Sequence, residues 1–416
     1  MGFFQKLVER REFSLARWES YLNGLEGGET ATGIAVTDAS AMTWSVVWAC
    51  VLVKSQDIAK SPLPLYRRLG KNGDDGREEA RDHPLWRVLR VQANPYMTAF
   101  QLRQTMQKHK EVTGNAYALK EFDAAGNIAA LWPRSPSCMK PRVDGGRLVY
   151  RYTANGTWVD YDASEVFHIK GLSDDGIEGL SPVSVYREGI ALGLGYQQYA
   201  SYSFKNSVRP SLVAKTAAGP EKAAELGDSL KSQYAGIKNN GGILVGYGGL
   251  EFQPWGFSNR DAEFIQSRRF SVEDGCRIWR MLPHKIMDYS QSAYANITSA
   301  DLAYVNDCLR PDQENWEEEI HRQLLRPDEL DTYYVEHDNY DLLKGTPVER
   351  ADVECKYVAG GISAVNEVRK SHNWKPVPGG DECRVQMQMV PLDAEPPEDK
   401  PEDMPPPRKG PPQEEE

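Results

Sequence analysis

The hydrophobic positions in the first quarter of the chain predict two amphipathic helices. The first begins near Thr43 and ends at the SPLP run of 61–64, because proline interrupts helical hydrogen bonding. The second begins at Thr98, an N-cap residue with Gln101 three positions later, and ends at Gly114. Both helices have an apolar face, so we expect them to pack in a core.

Four more helical patterns follow in the second half of the chain. Pro182 stands at a first helical position, and Pro311 either kinks the last pattern or starts a separate helix. The predicted spans are 182 to about 205, 220–237, 259–280 and 302–324. The helices at 220–237 and 259–280 each have an apolar stripe that one helix cannot bury alone, which favours oligomerisation.

Between Gly114 and Pro182 the apolar period changes to two, which is typical of strands. The segments are AYALKEF, IAALW, RLVYRYT, TWVDY and SEVFHIK, separated by turn signals such as Asn155-Gly156. An earlier strand through Leu65 and Tyr66 leads into the charged turn KNGDDGREE. We therefore expect an antiparallel meander and an α+β fold class.

Two further segments lack helical periodicity. Residues 239–257, NNGGILVGYGGLEFQPWGF, are glycine-rich and β-prone, and they predict a compact β module between two helices. Met281 to Asn296 predicts a loop. From Ile286 to Leu309 there is no Lys or Arg. Such a loop could not grip DNA by phosphate neutralisation and would suit sliding past a strand; an ordinary loop is the alternative.

Composition and charge exclude several classes of protein. The 416 residues, 40% hydrophobic and 26% charged, are enough for two or three globular domains, and the net charge of −11 disfavours a generally basic nucleic-acid binder. Nine Pro and nine Asp or Glu in 391–416 predict a disordered acidic tail. Residues 1–40 end in a Gly/Thr/Ala-rich run that predicts a flexible arm.

The cysteines and the apolar segments indicate the cellular compartment. Six widely spaced cysteines form no CxxC pair, so neither structural zinc nor a disulfide framework is expected. The most apolar stretch, Met42 to Val53, is too short to span a bilayer. We expect a protein made in a reducing cytoplasm, without a membrane partner.

Catalytic and nucleotide-binding motifs are missing from the sequence. There is no GxxxxGK[ST] loop and no GxSxG elbow. Glu165 and His168 lie on one predicted strand with opposite orientations, whereas Glu318 and His321 share a helical face and keep a metal-dependent enzyme as an alternative. We therefore expect no catalytic residue, metal or cofactor.

Several long strings together resemble the portal protein family of tailed double-stranded DNA bacteriophages. They begin with WSVVWACVLVKSQDIAKSPLPLYRR and HPLWRVLRVQANPYMTAFQLRQTMQKHKEVTGNAYALKEF, and continue with FHIKGLSDDGIEGLSPVSVYREGI. The second half contributes DAEFIQSRRFSVEDGCRIWRMLPHKI, SAYANITSADLAYVNDCLRP and LLKGTPVERADVECKYVAGGISAVNEVR. The resemblance covers about residues 40 to 385.

The resemblance implies a portal fold assembled as a closed ring, usually a dodecamer. The parts that it implies are an N-terminal arm at 1–40, a wing at 41–215, stem helices at 216–238 and 258–280, a clip at 239–257, a tunnel loop at 281–296, a long helix with wing return at 297–345, a crown at 346–390 and the tail at 391–416.

The family also implies site residues and partners. The residues expected to line the DNA channel are Asp288, Tyr289, Ser290, Gln291, Ser292, Ala293 and Tyr294, and those expected in clip contacts are Leu244, Tyr247, Phe252 and Trp255. The implied partners are double-stranded DNA, the terminase large subunit, a head completion or adaptor protein, and the major capsid and scaffold proteins. The implied location is the capsid vertex of the virion, after assembly in the host cytoplasm. An oligomeric head-to-tail adaptor without a genome channel is the main alternative.

Overall fold

The structure is a computed structural model that describes residues 30–70, 76–206, 212–215, 251–254, 260–289, 297–339, 347–372 and 374–383. The chain divides into two compact units, Met1–Leu343 and Lys344–Glu416. The first unit mixes helices with small antiparallel sheets, which agrees with the expected α+β class. Within the described ranges, no helix has the length and apolarity to cross a membrane.

The helices of both units are short to medium in length. They are α1 (Asp38–Ala41), α2 (Ser45–Lys60), α3 (Pro84–Arg90), α4 (Ala99–Thr113), α5 (Pro182–Val185), α6 (Arg187–Asn206), α7 (Arg260–Ile278), α8 (Ile297–Ala303), α9 (Arg310–Leu324), α10 (Pro347–Ala359) and α11 (Val365–Ser371). A π-helical turn, Tyr304–Leu309, joins α8 to α9.

The strands of the described ranges form five small sheets. They are β1 (Leu65–Arg68), β2 (Arg77–Glu79), β3 (Gln92–Asn94), β4 (Met97–Thr98), β5 (Asn115–Phe122), β6 (Ile128–Arg134), β7 (Met139–Asp144), β8 (Arg147–Ala154), β9 (Thr157–Asp162), β10 (Val166–Lys170), β11 (Leu212–Lys215), β12 (Glu251–Pro254) and β13 (Tyr333–Val335). The sheet orders are β13-β1-β2, β3-β4, β10-β5-β6, β7-β8-β9 and β11-β12.

Helices α2 and α4 pack against each other in the main core. The predicted start and end of α4 are confirmed: Thr98 and Gln101 form a capping box, and Gly114 adopts the left-handed conformation with φ 75°. The predicted stop of α2 is confirmed as well, since that helix ends at Lys60, directly before the SPLP run. Local capping and proline signals therefore fix these boundaries.

The predicted single meander is wrong. Strand β10 pairs antiparallel with β5, from Val166 opposite Leu119 to Lys170 opposite Asn115, so the strands form two sheets. Strand β7 was not predicted, because Lys140, Pro141 and Arg142 interrupt the alternation; an edge strand tolerates proline. The end of the predicted charged turn is also a strand, β2, which pairs with β1.

The course of the last long helix is settled by its backbone. The N–H of Arg310 donates to the carbonyl of Val305, five residues earlier, within the π-turn. Pro311 follows in the first turn of α9, where a missing N–H and the proline ring are tolerated. Pro311 therefore lies at the start of a separate helix, one of the two predicted alternatives, and a π-turn joins that helix to α8.

Two other boundaries differ from expectation. Residues 30–40, which the sequence places in the arm, contact the core at two positions: Ile34 and Val36 lie against it, and Thr37 caps α1. The helix predicted from Pro182 is interrupted at Tyr186, between α5 and α6. The helix predicted at 220–237 lies outside the described residues.

Helices α6 and α7 pack against each other and close around Trp44 at the start of α2. A Cβ on Gly193 of α6 would lie 2.5 Å from the Trp44 ring, and one on Gly275 of α7 would lie 2.8 Å from it. Only glycine permits this approach, and Trp44 is 6% exposed as a result. The indole therefore joins the helix pair to the core.

The second unit contains α10 and α11. His372 Nε2 lies 2.8 Å from Glu354 Oε2, and Arg350 Nε donates to Glu354 at 3.0 Å. The buried Asn366 side chain accepts from Val377 N and donates to Val377 O. These contacts hold the two helices and the following turn together.

We predict that Gly193→Ala lowers the free energy of unfolding by about 1–3 kcal/mol, because the new methyl group overpacks against Trp44. Gly189→Ala in the same helix is the matched control. Its Cβ would approach only Asp274 Oδ2, at 3.4 Å, so the gain in helix propensity of about 1 kcal/mol should dominate. Urea unfolding followed by circular dichroism measures both, and equal stabilities would contradict the packing role of Gly193.

Candidate functional site

The segment predicted to line a channel leaves the core through a tight turn. Pro283–Ile286 forms one 3₁₀ turn, and Met287 follows with φ 66°. The Met287 amide donates to His284 O at 3.1 Å, and the Asp288 amide donates to Pro283 O at 3.0 Å. Met287 is 78% exposed, so its side chain lies in solvent at this turn.

The outgoing side of this segment is anchored by Trp279, which is 2% exposed. Its indole Nε1 donates to Glu111 O in α4 at 3.0 Å. The carbonyl of Trp279 accepts from Cys308 Sγ in the π-turn at 3.3 Å. Trp279 therefore contacts both α4 and the π-turn.

The returning side is anchored by Tyr304, the first residue of the π-turn. Its hydroxyl donates to Asp57 Oδ2 of α2 at 2.9 Å. Burial raises the pKa of Tyr304, so its phenol stays protonated and remains a donor. Buried side chains thus attach the residues before the segment to α4 and the residues after it to α2.

A charged clamp connects the two sides directly. Asp301 Oδ1 lies 2.6 Å from Lys285 Nζ and 3.2 Å from His284 Nε2. Burial opposes ionisation of Asp301, but the hydrogen bonds from Lys285 and His284 outweigh it and lower the pKa of this carboxyl. Asp301, one of three acids in a segment without Lys or Arg, is therefore neutralised by a lysine just outside that segment.

Helix α9 is held in the core by a second, buried charge cluster. Asp312 lies 2.7 Å from Lys54 Nζ and 2.8 Å from Lys110 Nζ, and Glu111 lies 3.1 Å from Lys54. Burial would raise the pKa of Asp312, but the two ammonium groups hold it below its usual range. Gln107 bridges both carboxylates and accepts from Trp316 Nε1 at 2.7 Å.

The sequence did not identify these anchors. Lys285 and Asp301 are 16 positions apart, and Lys54 and Asp312 are separated by most of the first unit. The one available signal was the position of Lys285 and Asp301 on either side of the polar segment. The rest depends on tertiary contacts.

Of the residues predicted for the channel, Asp288 and Tyr289 are described. Tyr289 is half exposed, and its hydroxyl lies 3.6 Å from Met287 Sδ. Ser290 to Tyr294 lie outside the described residues. Of the predicted clip residues, Phe252 is described only as part of the β12 backbone, which pairs with β11; Leu244, Tyr247 and Trp255 lie outside.

The residues considered as metal ligands have other contacts. His168 is buried, and its two ring nitrogens lie 3.1 Å from Tyr150 Oη and Asn115 Oδ1. Burial lowers the pKa of His168 to about 3, which keeps it neutral. His321 Nε2 lies 3.0 Å from Leu330 O, and Glu318 is exposed. No cluster of potential metal ligands occurs in the described part of the chain.

Comparison with known proteins identifies the class of protein. A family model described as phage portal protein matches residues 45–373. The chain therefore belongs to the phage portal protein family. This family is a family of structural proteins.

Two curated relatives cover most of the chain. The portal protein of Enterobacteria phage HK97 is 28% identical over 364 residues, covering 86% of this chain and 85% of the relative. The probable portal protein of Streptomyces phage phiC31 is 28% identical over 423 residues, covering 95% and 91%.

Solved structures share the fold. A chain from the virion of a native gene transfer agent particle has a TM-score of 0.55 at 20% identity, covering 84% of this chain and 97% of that one. The crystal structure of an HK97-family phage portal protein from Corynebacterium diphtheriae has a TM-score of 0.53 at 16% identity, covering 75% and 98%.

We predict that Asp301→Asn loosens the turn at the base of the loop, because it removes the charge that holds Lys285 and His284. Amide exchange at Met287 and Asp288, measured by mass spectrometry, should become roughly two- to fivefold faster, as expected for a partly exposed ion pair. Asp307→Asn makes the same charge change at an exposed position of the π-turn. This control should exchange as the parent protein does, and equal rates in all three proteins would contradict the clamp.

Proposed function

We propose that this chain forms a ring, with twelve subunits the expected number, around a channel at one capsid vertex. Double-stranded DNA passes through that channel during packaging and ejection. The support for a ring is the family membership, together with similar chains from the neck of a gene transfer agent particle described with C12 and with C6 symmetry.

The channel assignment rests mainly on how the residues on either side of 288–296 are attached to the core. The Asp301 clamp, Trp279 and Tyr304 fix both ends of this segment to the core. From Ile286 to Leu309 the chain has no Lys or Arg, so the segment offers DNA no phosphate-neutralising charge. A polar loop on a fixed base, repeated around an axis, can contact DNA without gripping it.

The proposed channel residues are Asp288 to Tyr294. The proposed clip, 239–257, contains β12, whose pairing with β11 at Leu212–Lys215 connects it to the segment after α6. We assign to this clip, through Leu244, Tyr247, Phe252 and Trp255, the docking of the terminase large subunit and later of a head completion or adaptor protein. The capsid and scaffold proteins are the proposed partners during assembly in the host cytoplasm.

An oligomeric head-to-tail adaptor without a genome channel is the second candidate. Light scattering and negative-stain electron microscopy of the purified chain separate the two. A ring with an axial opening and a mass near twelve times 46.8 kDa supports the portal, whereas a closed dimer without an opening contradicts it. Metal analysis tests the remaining alternative, a metal-dependent enzyme that uses Glu318 and His321.

We predict that Ser292→Lys leaves ring assembly intact but reduces DNA packaging. Each lysine would add a favourable phosphate contact that a moving strand must break, and the ring would multiply the effect. The yield of DNA-filled capsids, counted by electron microscopy after complementation, should fall by about tenfold or more.

Ser292→Ala is the matched control, because it changes the same position without adding charge. It should package as the parent protein does. If Ser292→Lys prevents ring formation, or packages normally, the assignment of 288–294 to the channel is wrong.

A further inference from the structure

Helices α6 and α7 enclose a surface groove of about 390 Å³. Its lining includes the small residues Gly189, Ser267 and Ser271 and the polar residues Gln266 and Asp274. Leu192, which is 50% exposed, and Phe270, which is 61% exposed, also line it. Small residues beside exposed apolar side chains leave room for large apolar side chains from another segment.

The first described residues of the chain run along the flank of α6 beside this groove. The amide of Ala31 donates to Glu188 Oε2 at 3.1 Å. Ile34 lies against Gly195, where a Cβ would be 3.4 Å from Ile34 Cδ1. Glu188 and Gly195 are seven residues apart and therefore share one side of α6. The preceding residues join the protein next to one end of the groove, near Gly189.

The sequence before Thr30 contains an apolar stripe suited to this groove. Leu15, Trp18, Leu22 and Leu25 are spaced by three, four and three residues, the spacing of one helix face. Residues 26–29, Glu-Gly-Gly-Glu, separate this stripe from Thr30. Four extended residues span about 13–14 Å, and two glycines allow the chain to reverse direction. The stripe can therefore lie back along the groove.

We propose that residues 15–25 bind in the groove between α6 and α7 of the same chain, with Trp18 against Leu192 and Phe270. The short connection to Thr30 keeps this segment at a high effective concentration beside the groove, which favours it over a second copy. The segment would bury the apolar walls of the helix pair. This proposal does not depend on the channel function.

Hydrogen exchange of the full chain tests the contact. The triple variant Leu15→Ser, Trp18→Ser, Leu22→Ser should exchange the amides of 189–199 and 266–274 about tenfold faster than the parent chain. Leu172→Ser removes an apolar side chain that is 80% exposed outside these helices, and it should leave those amides unchanged. Equal exchange in the triple variant and the parent chain would overturn the proposal.

A cross-linking experiment identifies the occupant. Benzoylphenylalanine replaces Trp18 in a mixture of ¹⁴N- and ¹⁵N-labelled chains, and the products are mapped by mass spectrometry. Cross-links to 186–199 or 266–274 of the same chain support the proposal. Links only between chains would assign the groove to a second copy, and links elsewhere would exclude it; either result overturns the proposal. Light scattering on the same samples reports ring formation, so failure of the two proposals can be distinguished.

Discussion

The ion pairs of Asp312 with Lys54 and Lys110 fix helix α9 to the core. Lys54 lies on α2, Lys110 lies on α4, and Asp312 is in the first turn of α9, so one carboxylate connects three helices. Removing one partner from such a buried set costs about 3–5 kcal/mol, because an uncompensated charge remains. The π-turn and α8 precede Asp312 directly, so the position of the proposed channel loop depends on this cluster.

Further residues on the same face of α9 attach this helix to β10 and α4, mostly through polar contacts. Trp316 packs edge-on against Phe167 of β10 at 6.1 Å while its Nε1 donates to Gln107. Glu319 lies 2.9 Å from Lys170, and Gln323 exchanges hydrogen bonds with the His168 backbone. Directional contacts of this kind specify one register of a helix against a sheet, whereas an apolar stripe alone tolerates sliding. The sheet that contains β10 therefore holds a fixed position relative to α9 and to the π-turn before it.

The features that the sequence predicts correctly are those encoded by neighbouring residues. Thr98, Gln101 and Gly114 define α4 because a capping box and a left-handed C-cap need only local geometry. The partner of β10 is not encoded locally: alternation shows that a strand exists, but β5 pairs with it through contacts about 50 residues away along the chain. The sequence does not reveal the π-turn either, because its apolar residues fit the spacing of an α-helix as well as that of a π-helix. At the site, the sequence marks the loop by its lack of cations, while the Lys285 and Asp301 clamp depends on how the chain folds back.

The π-turn also determines how a pull on the loop would pass into the protein. In an uninterrupted α-helix, axial load is shared along one continuous series of backbone hydrogen bonds. Here that series changes register between Tyr304 and Leu309, and Pro311 contributes no N–H beyond it. Tension on α8 is therefore resisted by the side chains that pin the π-turn, Tyr304 on Asp57 and Cys308 on Trp279. Asp57 lies on α2, and Trp279 is bonded to Glu111 of α4, so these contacts would pass force into α2 and α4 before it reaches α9.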